Sequence, residues 1–220
     1  MPKPTRGALI VVEGLDRAGK SSQCEVLRER LEKAGHDVKH IRFPDRTTPI
    51  GTLIDNYLRG TTHLDDHTIH LLFSANRWEA AETIRTAIEA GTTVLVDRYS
   101  YSGAVYSAAK GNAALGLEWA WAPEIGLPRP DVCLFLRISP EEAGARGGFG
   151  AERYENEPMQ RRVRELFQTL FDRLPAGDVM IVDAGAAFEK VSRDIWEVVS
   201  DRMGRVAGMG GLRSLEGIAE

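Results

Sequence analysis

The stretch ALIVVEGLDRAGKSS, residues 8–22, passes from an unbroken apolar run into a loop holding two glycines, a lysine and two serines. Within it, Gly14-Leu15-Asp16-Arg17-Ala18-Gly19-Lys20-Ser21 fits G-x-x-x-x-G-K-[ST]. Average residue usage makes a chance match in a chain of this length on the order of 1%. The motif lies where a strand should end and a helix begin. There, glycines let successive backbone N–H groups turn inward onto phosphate oxygens, Lys20 neutralises charge on the β- and γ-phosphates, and Ser21 offers its hydroxyl to Mg²⁺. A nucleoside triphosphate is the implied ligand. The loop also carries Asp16 and Arg17 where small residues are usual, so it is expected to do chemistry as well as bind.

Outward from this loop, short β-rich runs alternate with longer helical patterns. Strands are expected at 8–13, 37–43, 92–97, 131–138 and 178–183. Helices are expected at 20–34, 49–58, 66–90, 101–109, 115–121, 140–146, 157–174 and 187–203. This is the βαβ pattern of an α/β fold, a five-stranded parallel sheet flanked by helices on both faces. The reading is one domain over residues 1–204, followed by a Gly-rich, loosely attached tail at 205–220 that loses helical periodicity.

Composition limits what the loop can serve. At 43% apolar and 27% charged the chain reads as an ordinary globular protein. No apolar run reaches the roughly 18 to 20 residues of a membrane span, and the first residues lack a signal-peptide core. A net charge of −4 argues against general nucleic-acid binding. Two cysteines, Cys24 and Cys133, read as core fillers in a reducing, cytoplasmic setting.

The use made of the triphosphate must come from elsewhere. No N-K-x-D or D-x-x-G of a GTPase switch is present. A kinase for a small acceptor needs a second anion site facing the first, and Arg46 in FPDR and Arg98 in VLVDRY follow strands, with Arg77 in LLFSANRW. In an open parallel sheet, ligands gather at the carboxyl ends of strands, so Arg46 and Arg98 can converge near the loop.

GLDRAGKSSQ, RFPDRTTPIG, LLFSANRWE, VLVDRYSYSGAVY and RGGFGAERYE, in this order and spacing, closely resemble thymidylate kinases (dTMP kinases) of the eukaryotic and poxviral-like type. The resemblance covers about residues 6–200. It implies a P-loop nucleoside monophosphate kinase fold, three-layer α/β/α, usually a homodimer, in which Mg²⁺ and ATP phosphorylate dTMP to dTDP on the way to dTTP.

Carried onto this chain, the resemblance places the donor on Gly14, Arg17, Ala18, Gly19, Lys20, Ser21 and Ser22, with Arg146 on the adenine face. Asp16 matches the carboxylate at the sugar 3′-hydroxyl, and Arg17 the arginine that reaches the transferring phosphoryl group. Arg46 and Arg98 clamp the acceptor phosphate, and Asp97 with Ser21 organises Mg²⁺. Phe73 stacks on thymine while Arg77, one turn later, donates to O4 and so rejects the amino group of cytosine. Tyr106 lies near the sugar, where it could disfavour a 2′-hydroxyl. Phe43, Pro44, Gly103 and Gln160 complete the acceptor site. Residues 145–158 read as a lid, from which Glu152 and Tyr154 approach the acceptor. Asp16, Arg17, Lys20, Asp97 and Arg98 are the catalytic set. Ser22 and Tyr106 depart from a more frequent Thr and Phe.

Plainer readings stand beside these. Arg77 could pair with Glu79, Glu82 or another helix, and Phe73 could be core. His63, His67 and His70 read as partly exposed helix histidines, and Arg161, Arg162 and Arg164 as a solvated face. Other readings are a P-loop kinase of a related pyrimidine nucleotide or nucleoside, or a non-catalytic nucleotide binder. The helix at 66–90 has apolar residues on more than one face (Ile69, Leu72, Phe73, Trp78, Ala81, Ile84, Ile88), which points to a homodimer through helices.

Overall fold

A computed structural model describes residues 6–146, 152–206 and 208–219. The elements are β1 (Leu9–Gly14), α1 (Lys20–Lys33), β2 (Val38–Arg42), α2 (Pro49–Leu58), α3 (Asp66–Glu89), β3 (Thr93–Asp97), α4 (Ser100–Ala108) and α5 (Leu117–Trp121). A 3₁₀ turn (Ala122–Glu124) follows, then β4 (Val132–Arg137), α6 (Pro140–Ala145), α7 (Glu157–Asp172), β5 (Val179–Asp183) and α8 (Phe188–Val206). All expected strands and helices are present, with ends shifted by at most three residues.

The strands form one parallel sheet in the order β2-β3-β1-β4-β5. Position follows composition for four of the five strands, VMIVD being an apolar edge. The LIVVEG, TVLVD and VCLFLR strands, nearly continuous in apolar residues, occupy the three central places and are buried almost throughout. The edge strands VKHIR and VMIVD are only half-buried. Helices α1 and α8 cover one face, and α3 and α4 the other, with α2 laid against α3 and both α5 and α7 against α4. The helices start where their sequences say: Thr48 accepts from Gly51 N ahead of Pro49, Asp65 caps α3, and Asn156 caps α7.

Because the chain reverses direction around β1, the crevice at the carboxyl end of the sheet opens beside Gly14 and Asp97, with Val12 in register with Asp97 and Gly14 with Leu136. Gly19 there takes φ 83 as it enters α1, a conformation that a side chain would strain.

Two expectations are corrected. The segment after α8 is docked rather than loose. Gly126 N donates to Leu215 O at 2.9 Å, Leu215 N to Leu127 O at 2.8 Å, and Arg129 N to Arg213 O at 2.9 Å. Trp121 Nε1 donates to Glu216 O at 2.8 Å, and the Leu215 side chain is buried. Glycine content hid this, because the docking uses backbone groups and one leucine. His70 is wholly buried, its Nδ1 2.7 Å from Ser107 Oγ, and burial lowers its pKa to about 4. Arg162 stays exposed beside Arg161, as expected, although its Nε donates to Ala109 O at 2.5 Å.

Candidate functional site

The phosphate loop is built around two buried acids that end strands. Glu13, wholly buried, accepts from Tyr99 N at 2.9 Å, from Ser102 N at 3.0 Å, and from the Ser102 hydroxyl. It ties the start of α4 to the end of β1, and its burial raises its pKa. Asp97 accepts from Ser21 Oγ at 2.6 Å through Oδ2, while its buried Oδ1 has no hydrogen-bond partner among the described residues. A hydroxyl and a half-satisfied buried carboxylate side by side are the donor set that a phosphate-bound divalent cation would complete.

Lys20 is buried, its Nζ donating to Leu15 O at 2.6 Å. Burial, reinforced by Arg98, lowers its pKa from 10.5 to about 8. Asp16 pairs with Arg98 and accepts from Gln160 Nε2 at 2.7 Å on its other oxygen. Burial alone would raise the Asp16 pKa, but Arg98 and then Lys20 outweigh it and hold it low. The Arg98 guanidinium, desolvated yet faced by Asp16 above all, has its pKa raised. Arg17 and Arg98 both take φ 67, left-handed backbone uncommon for a residue with a long side chain. One strained arginine lies in the loop and the other beside it.

Next to the loop lies a cavity of about 210 Å³ lined by Asp16, Phe43, Pro44, Arg46, Phe73, Arg77, Arg98, Gly103, Tyr106, Glu152 and Tyr154. Gln160 reaches it through Asp16 and also donates to Tyr154 O at 3.1 Å. The expected acceptor residues are thus brought to one place. Arg42, Leu58, Tyr99, Ser102, Ser107 and Glu155 line it too, without having been singled out from sequence.

Two arginines are less free than expected. Arg46 is held by Asp55 at 2.6 Å and Glu152 at 2.7 Å, so Glu152 meets Arg46 itself. Arg77 is buried and pairs with Glu124, not with Glu79 or Glu82. The FPDR turn, whose Phe43–Pro44 bond is cis, is fixed by Asn76 of α3: Asp45 N donates to Asn76 Oδ1 at 2.8 Å, and Asn76 Nδ2 to Asp45 O at 3.2 Å.

On the other side of the loop a second hollow is lined by Ala18, Gly19, Ser22, Gln23, Arg146, Ala184, Ala186, Phe188 and Val191. Arg146 bridges its walls, Nη1 donating to Arg17 O at 2.8 Å and Nη2 to Ala184 O at 2.6 Å. The VDAGAAF turn after β5 therefore belongs to this side, a contribution that its small residues concealed. Of the expected lid at 145–158, residues 147–151 lie outside the described residues. The part from Glu152 is docked, Arg153 N donating to Leu58 O at 3.1 Å and Arg153 Nε to Tyr57 O at 3.0 Å.

The arrangement offers a triphosphate cradle between two hollows, one with small and apolar walls and one rich in arginine and aromatic rings. No helix among the described residues is long and apolar enough to cross a membrane. Comparison with known proteins adds the following. A family model described as thymidylate kinase matches residues 12–195. A thymidylate kinase of Arabidopsis thaliana is 52% identical over 90% of this chain and 73% of its own length. One from Homo sapiens is 46% identical over 86% of this chain and 88% of its own. The solved structure of a thymidylate kinase from Candida albicans superposes with a TM-score of 0.86 at 36% identity, covering 96% of this chain and 99% of that one.

Proposed function

The chain belongs to the thymidylate kinase family, and from that membership we propose how its own residues divide the transfer of a phosphoryl group from ATP to dTMP. The chain is a kinase whose donor is ATP, whose acceptor is dTMP and whose product is dTDP. The bond from the γ-phosphorus to ADP breaks, and one forms to an oxygen of the dTMP phosphate. A phosphate monoester has a second pKa near about 6, so this nucleophile is already ionised at neutral pH. The site therefore needs cations and positioning more than a general base.

The observation that carries this reading is the arginine-rich cavity opening onto the phosphate loop, with Asp16 and Arg98 at the junction. Arg98 and Arg46 take the acceptor phosphate, and the Asp16 carboxylate takes the sugar 3′-hydroxyl. Phe73 stacks on the base, Arg77 donates to O4, and Tyr106 closes the sugar side, its ring under the Arg98 guanidinium at 5.5 Å. Adenine lies against Arg146 in the second hollow. Ser21 and Asp97 hold Mg²⁺, which supplies neutralising charge at the phosphates. A coupled ADP-release assay over a panel of nucleoside monophosphates and nucleosides tests the assignment. Preference for another acceptor would replace dTMP, and binding without ADP release would remove the kinase.

A homodimer is part of the same proposal. Leu71 and Trp78 of α3 are 47% and 43% exposed, and Leu53 of α2 is 49% exposed, more apolar surface than two helices leave to water without a partner. Sedimentation equilibrium checks it, a monomer being the contrary outcome. The buried thiols of Cys24 and Cys133 suit a reducing cytoplasm.

The pH response of donor binding follows from Lys20. In the free protein its ammonium loses a proton near about 8, and a bound triphosphate restores it. ATP affinity is therefore expected to hold steady from neutral pH to near that value. Above it, affinity should fall by up to about tenfold per pH unit, with uptake of a proton on binding. Titration calorimetry in two buffers of different ionisation enthalpy reads both. Equal affinity on either side of that pH would take Lys20 off the phosphates.

A further inference from the structure

The base-reading arginine is itself held by an acid that the chemistry does not use. Glu124 has no solvent exposure and Arg77 is 2% exposed. Arg77 Nε donates to Glu124 Oε2 at 2.6 Å, and Nη2 to Oε1 at 2.6 Å, a fork-to-fork pair deep in the protein. The fork uses two of the five N–H donors, one on Nε and one on Nη2. Nη1 donates to no carboxylate among the described residues, and Arg77 lines the acceptor cavity.

Both sides of the pair are fixed. Glu124 sits on a segment strapped along α3, where Trp78 Nε1 donates to Pro123 O at 2.8 Å and Arg85 Nη2 to Gly126 O at 2.7 Å. The segment after α8 grips it from behind through Gly126 and Leu127. In front stands Gly103, where a Cβ would lie 2.7 Å from the Arg77 Cζ. Only a glycine leaves room for the guanidinium to lie flat there.

We infer that Glu124 is a positioning residue for pyrimidine selection: it fixes the plane of the Arg77 guanidinium so that Nη1, the nitrogen outside the fork, faces the 4-position of the base. A long side chain with five N–H donors does not discriminate well unless its orientation is set. With Nε and Nη2 engaged, a carbonyl at the 4-position is accepted and an amino group meets a donor. The inference rests on the proposed reading of the base by Arg77.

Glu124→Gln keeps shape and one acceptor but removes the second acceptor and the charge. It should raise KM for dTMP about tenfold and narrow the dTMP to dCMP preference by a similar factor, with kcat at saturating dTMP and KM for ATP little changed. A carboxylate that merely stabilised the fold would lower the unfolding temperature and leave those ratios alone. Arg77→Lys, assayed in parallel, separates the two layers. If it narrows the preference and Glu124→Gln does not, the base reading stands and the positioning role falls. If neither does, the base reading falls and takes the positioning role with it. Should Glu124→Gln fail to fold, nitrogen-detected NMR of the unsubstituted protein decides. Separate, slowly exchanging Arg77 Nη signals, of which only Nη1 moves on adding dTMP, are the expected result. Movement at Nε or Nη2 instead would overturn it.

Discussion

Arg98→Ala is expected to lower kcat/KM for dTMP by about 10³-fold or more. The guanidinium has two duties that one substitution removes together. It lines the cavity beside the phosphate loop, and it is the ion-pair partner of Asp16, only 19% of whose side chain is exposed. Removing one member of such a pair costs about 3 to 5 kcal/mol, because the remaining charge stays desolvated. Gln160 and Lys20 still face Asp16, so the carboxylate is not abandoned, but its main stabiliser is gone. Its pKa should then rise, and residual activity should fail sooner as pH drops. Arg98→Lys should recover part of the rate, since it restores charge but not the fork. ATP affinity should change little. Activity within tenfold of the unsubstituted protein, in a folded Arg98→Ala variant, would remove Arg98 from the acceptor phosphate.

The sheet could be read in the sequence because its cause is local. LIVV, VLV and VCLFL are apolar without interruption, the main signal of a strand buried on both faces. Polar residues in VKHIR mark an edge for the same reason. The phosphate loop was legible because its glycines and lysine lie within one turn of chain. Partnerships across the chain were not. Arg77 lies 47 residues from Glu124 and Glu13 lies 89 from Ser102, and no periodicity links such pairs. Glu124 sits in APEIG, which reads as a turn, and Asn76 in SANRW reads as a helix surface. The docked tail escaped notice for a related reason, since backbone hydrogen bonds to a distant loop carry no side-chain signature. The acceptor residues came to light through family resemblance. The residues by themselves give two arginines after strands and a third in a helix, with no account of which base they serve.

Arg17→Ala is expected to lower kcat by about 10² to 10³-fold while KM for ATP changes by less than about threefold. The phosphoryl group in flight carries its charge on three equatorial oxygens. A cation that meets those oxygens only then lowers the barrier without tightening the ground state. Arg17 is suitably placed: it lies in the loop between Asp16 and Ala18, and its own carbonyl is held by Arg146, so the backbone is anchored from the second hollow. Its φ of 67 raises a rival explanation. Left-handed backbone costs a residue with a Cβ about 1 to 2 kcal/mol, and alanine keeps that strain while losing the guanidinium. Arg17→Gly removes the side chain and the strain together. If the guanidinium is what matters, Ala and Gly variants should lose kcat alike, and Arg17→Lys should recover only part. If Gly restores the rate, the loop conformation and not the charge limits the reaction. A rise in KM for ATP with kcat intact would make Arg17 a ground-state ligand of the donor, and the transferring phosphoryl group would have to be met by another cation of the site.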